Sequence, residues 1–74
     1  RRVLTARAYK DADGTWTVEI PELTSTTPSG AIIVATGSAP NSEEIQCAAV
    51  DVASAWLDVA AGTLIVDVDV DGAA

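Results

Sequence analysis

The sequence predicts a single α+β domain of order β-β-β-α-β: a four-stranded mixed sheet, order 3-2-1-4, with one helix packed on one face. Three observations carry this. Residues 3–10, 15–20 and 63–70 alternate apolar and polar side chains with the period of a half-buried strand. Residues 31–37 (AIIVATG) are rich in β-branched residues. Between 42 and 60, apolar residues recur at spacings of three and four, the period of an amphipathic helix.

The first strand places Leu4, Ala6 and Ala8 on one face and Thr5, Arg7 and Tyr9 on the other. Asp11-Ala12-Asp13-Gly14 is a turn: Gly14 tolerates positive φ and the aspartates can bond nearby backbone. The second strand turns Trp16, Val18 and Ile20 toward the core, so residues 3–20 form a hairpin. Pro21 has no N–H for the ladder and is expected to end that strand, leaving Thr24–Gly30 as a polar loop. Residues 31–37 are the third strand.

A helix over 42–60 is expected to start at Asn41, with Glu44 three residues later, as in a capping box. Glu43 and Glu44 suit the positive end of its dipole. Its apolar face is Ile45, Ala48, Ala49, Val52, Trp56 and Val59, and Gly62 is the stop signal. The last strand, 63–70, sets Leu64, Val66, Val68 and Val70 against Ile65, Asp67 and Asp69. The helix is then a right-handed crossover that brings this strand parallel to the first. Trp16 and Trp56 are expected to meet in the core.

Composition narrows the function. The 74 residues hold 4 Lys+Arg and 11 Asp+Glu, a formal charge of −7. All the cations (Arg1, Arg2, Arg7, Lys10) fall in the first ten residues, and from Asp11 onward there are only carboxylates. Direct nucleic-acid binding needs clustered Lys/Arg and is not expected. With no His, imidazole catalysis and a Ser-His-Asp triad are excluded. Cys47 is alone, so neither an intrachain disulfide nor a Cys/His zinc site can form. No apolar run nears the roughly 20 residues that span a membrane, and no signal segment opens the chain; a cytoplasmic location is expected. The chain opens without an initiator Met. A domain of this size buries only about 60% of its unfolded surface, so it is expected to lean on a second copy or a partner.

Tyr9-Lys10-Asp11-Ala12-Asp13-Gly14-Thr15-Trp16 and the following Glu19-Ile20-Pro21-Glu22-Leu23 resemble the HicB-like antitoxin family, with its aromatic second strand after a short Asp/Gly turn and its Pro-Glu-Leu signature. Ser42-Glu43-Glu44 and Ala53-Ser54-Ala55-Trp56-Leu57 are also similar, and the resemblance spans roughly residues 3–70. It implies a degenerate RNase H-like fold without nuclease residues, homo-oligomers and, in many members, neutralisation of a small basic toxin ribonuclease. Thr24-Ser25 stands where the family often has Pro-Gly, and many members add a C-terminal DNA-binding segment that is absent before Ala74. The expectation is a solitary domain without that segment, or a chain from which the segment was trimmed.

Each candidate for chemistry has a plainer reading. Asp67-Val-Asp69-Val-Asp71-Gly72 matches the start of an EF-hand loop, but the twelfth position, where the loop needs a bidentate Glu, lies beyond Ala74, and the residues before the string read as strand. A two-metal nuclease would need carboxylates converging from other elements, and only Glu19 is an obvious addition to Asp67 and Asp69. Both are read as a solvated acidic strand face. Cys47 is read as a small, partly buried structural residue. No catalysis, cofactor or metal is expected.

The function read from these residues is non-catalytic binding of a basic protein partner, through Asp11, Asp13, Glu22, Glu43, Glu44, Asp51 and Asp58. The competing reading is an acidic phage-type inhibitor or nucleic-acid mimic that occupies a host protein. The uncharged third strand invites pairing with another chain, so a homodimer through strand 31–37 is expected, with Ala31, Ile33 and Ala35 helping to cover the sheet's outer face.

Overall fold

A computed structural model describes residues 2–70. The strands are β1 (Arg2–Lys10), β2 (Trp16–Thr26), β3 (Ile32–Ala39) and β4 (Leu64–Val70), and the helix α1 is Ile45–Leu57. Short 3-10 turns, Ser42–Glu44 and Ala61–Thr63, flank the helix. The sheet order is β3-β2-β1-β4, with β1 parallel to β4 and the other pairs antiparallel. The expected architecture is the observed one.

The alternation read in β1 and β4 sets the core. Leu4, Ala6, Ala8, Leu64 and Val66 point under α1 and are buried, together with Val18 and Ile20 of β2. From the helix, Ile45, Ala49 and Ala53 complete this layer. Two of those three are alanines, so α1 lies close to the sheet and its larger side chains sit at the flanks.

β2 does not stop at Pro21. Ile20 pairs with Ala35 and Thr24 with Val34, so Pro21, Glu22 and Leu23 form an excursion opposite no residue of β3. A bulge is where a strand tolerates proline. Its third residue, Leu23, returns to the core at 4% exposure. The strand then resumes, and the expected polar loop shrinks to a turn in which Thr27 N–H donates to the Ala31 carbonyl at 2.8 Å. β3 starts one residue later and ends two later than the sequence reading.

The helix, expected from residue 42, begins at Ile45; Asn41 instead caps the 3-10 turn Ser42–Glu44 that leads into it, its Oδ1 accepting from Glu44 N–H at 3.1 Å. It ends earlier than expected, at Leu57, because Asp58 adopts the left-handed conformation (φ 55°) and Val59 N–H bonds back to Ser54 O at 3.1 Å. Gly62 lies beyond, in the second 3-10 turn. The two tryptophans do not share the core. Trp16 is half-buried and packs against it, whereas Trp56 is 39% exposed. Val59 is also exposed, because the chain has left the helix by then.

Candidate protein-interaction surface

The seven carboxylates proposed for partner binding divide into two groups. Three are engaged by the fold. Asp11 Oδ2 accepts from Thr17 Oγ1 at 2.7 Å and from Thr15 Oγ1 at 3.3 Å. Asp13 Oδ1 accepts from the Thr15 hydroxyl at 2.6 Å and from its amide at 3.0 Å. Those bonds hold the Asp13 carboxyl below its ordinary pKa. Glu22 Oε1 accepts from the Thr5 amide at 2.8 Å. These residues close the hairpin and the bulge, so their geometry is fixed locally; Asp13 and Glu22 are exposed and Asp11 is half-buried.

The other four, Glu43, Glu44, Asp51 and Asp58, are exposed along and around the helix. Glu44, Asp51 and Asp58 are spaced by seven residues, two helical turns or about 10.5 Å of rise per step. Glu44 and Asp51 therefore share one flank of α1, the flank beside β3. Both line an open cleft of about 320 Å³ whose other wall is residues 37–40. Cys47 and Ala48 lie on the helix wall between them. Asp51 also borders a second cleft, of about 440 Å³, that continues along the seam past Thr36, Ala55 and Trp56.

This seam combines carboxylates with an exposed indole and an open strand edge. Among the described residues β3 pairs with β2 alone. Sequence reasoning found Glu44 and Asp51 but missed the apolar lining. Trp56 fits the helical period and so reads as core, yet it is exposed, and Cys47, expected to be partly buried, is exposed too. The signals that mark the seam are the spacing of seven between the acids and Gly37 inside a strand, a sign of close backbone approach.

Of the residues assigned to the dimer edge, only Ile33 is both in β3 and exposed. Ala31 lies in the turn before the strand, its N–H bonded to Thr27 Oγ1 at 3.0 Å. Ala35 is fully buried under α1 and does not cover the outer face of the sheet.

Among the described residues no helix covers that outer face. Register there sets Arg7 opposite Glu19 on one side and Asp69 on the other, with Thr5 opposite Asp67. The Tyr9 hydroxyl donates to Glu19 Oε2 at 3.3 Å. Burial, reinforced by the Glu19 charge, raises the Tyr9 pKa above its ordinary value of 10.0. A cation-bearing strand between Glu19 and Asp69 separates carboxylates that a two-metal centre would need together. Among the described residues no group of three or more Cys, Asp or Glu could hold a metal ion. Asp71 and Gly72 of the EF-hand-like string lie outside the described residues.

No described helix is long and apolar enough to cross a membrane. No protein-family model, curated protein or solved structure matches the chain.

Proposed function

We propose that the chain is a non-catalytic, cytoplasmic interaction domain, similar in role to a HicB-like antitoxin, that binds and neutralises a basic protein such as a small toxin ribonuclease. The observation that carries this reading is the open α1–β3 seam, where Glu44 and Asp51 overlook apolar clefts in a chain with no cation after Lys10. Uncompensated carboxylates steer a cationic partner in and orient it, and the force is screened by salt. Cys47, Ala48, Val52 and Trp56 supply apolar surface between and beside the charges, as in an interface with a hydrophobic centre and polar rim.

The test is calorimetric titration against a small basic ribonuclease encoded beside this chain. The expected result is stoichiometric binding that inhibits the ribonuclease, weakens with salt and falls by at least about tenfold in the Glu44→Lys, Asp51→Lys double variant. Asp11→Asn should bind like the parent. Binding indifferent to the double variant would remove the seam as the site.

A further inference from the structure

We propose that the free edge of β3 docks a second copy of this chain, the two β3 strands pairing antiparallel about a two-fold axis at Thr36. The dimer does not need the basic partner proposed above, and the two compete for the cleft beside Cys47 and Ala48.

Charge selects the edge. Two copies of a chain with formal charge −7 repel one another over most of their surface. Residues 23–42 contain no charged side chain, and that stretch includes all of β3 and the turn that leads into it. The other open edge is β4, where pairing with a second copy would bring Asp67 and Asp69 against their own counterparts. β3 is therefore the edge through which like-charged copies can meet.

Geometry fixes the arrangement. Directly opposed residues of an antiparallel pair point to the same face. Ala35 and Ala39 are buried on the face of β3 beneath α1, and Gly37 lies against Val52 there. Paired copies therefore carry both helices on one face of a continuous eight-stranded sheet. Ile33 belongs to the same face as Ala35 but is 48% exposed, since its own helix does not cover it. Centring the pair on Thr36 sets Ile33 opposite Ala39 of the second copy. Ala39 borders the cleft of about 320 Å³ lined also by Pro40, Cys47 and Ala48. Each copy thus offers an uncovered isoleucine to the other's open cleft. The two Glu44–Asp51 flanks then border a shared trough, and their mutual repulsion opposes assembly.

Sedimentation of the full 74-residue chain, with no partner present, tests this. The expected result is a concentration-dependent dimer that tightens as salt rises, the opposite salt dependence to binding of a basic protein. Ile33→Glu should be monomeric. Thr36→Lys, at an exposed position, should also be monomeric and serves if Ile33→Glu fails to fold. Ile65→Glu on β4 should leave the dimer intact. In a Cys47→Ser background, Thr36→Cys should give a covalent dimer on mild oxidation. A parent chain that stays monomeric at all concentrations and salts, or dimers that survive both β3 variants, would overturn the proposal. So would dissociation by Ile65→Glu, or a dimer that Thr36→Cys does not crosslink.

Discussion

Gly37 of β3 lies directly beneath Val52 of α1, and a Cβ added at Gly37 would run into Val52 Cγ2. The glycine is there for close approach of helix to strand, since its φ is not in the left-handed region. Gly37→Ala should cost about 1–3 kcal/mol through overpacking. Val52→Ala should recover most of that loss in the double variant, although it costs something alone. Urea denaturation of the four members of the cycle measures the coupling, expected at about 1 kcal/mol or more between touching residues. Additive losses would show that the helix shifts freely and that the contact does not set its height over the sheet.

At the bulge, Pro21 interrupts β2 where β1 still needs a partner, and the Glu22 carboxylate accepts the Thr5 N–H in place of a strand carbonyl. Glu22→Ala should lower stability by about 0.5–1.5 kcal/mol. Glu22→Gln keeps an acceptor oxygen and should lose less. Hydrogen exchange at the Thr5 amide gives the local readout: it should accelerate in Glu22→Ala and stay near the parent rate in Glu22→Gln.

Asp58 closes α1 in the left-handed conformation without being a glycine. Asp58→Gly should remove that strain and raise stability by about 0.5–1 kcal/mol, read as a higher melting temperature. Asp58→Val should lower it, since a β-branched side chain tolerates positive φ poorly. Equal melting temperatures for both variants would mean that the helix end is not held in this conformation in solution.

The strands were legible where one rule decided them. In β1 and β4 alternation is unbroken, and burial of Leu4, Ala6, Ala8, Leu64 and Val66 follows from it. β2 was legible only to Ile20, because alternation says nothing about a three-residue excursion, and Pro21 is a stop signal unless a bulge accommodates it. Periodicity weighs a large side chain as core and so turns the helix face toward Trp56. Packing instead chose Ala49 and Ala53, whose size permits a close sheet, and left the indole on the flank. At the site, charge was legible but commitment was not. Nothing in the spacing of Asp11, Asp13 and Glu22 shows that hydroxyls and an amide already occupy them.

The turn bonds of Asp13 have a consequence for pH. Its folded pKa lies below its ordinary value of 3.8, because the hydroxyl and amide of Thr15 bond the ionised form. Its contribution is therefore present above the unfolded pKa and is lost as pH falls through the folded pKa. Asp13→Asn should lower stability at neutral pH and flatten the acid limb of a denaturation-midpoint profile below about pH 4. A variant whose acid limb runs parallel to the parent's would place the acid sensitivity in other carboxylates.

The tryptophans should separate by both stability and accessibility. Trp56 is exposed beside the cleft, so Trp56→Ala should cost about 0.5 kcal/mol or less, the scale of a surface substitution. Trp16 is half-buried against the core opposite Ala39, and Trp16→Ala should cost about 2 kcal/mol, below the cost for a fully buried indole. In single-tryptophan variants, acrylamide should quench the fluorescence of Trp56 more strongly than that of Trp16. On binding of a basic protein at the seam, the Trp56 emission should shift to the blue while Trp16 stays constant. A shift confined to Trp16 would move the binding surface from the helix flank to the β1–β2 hairpin.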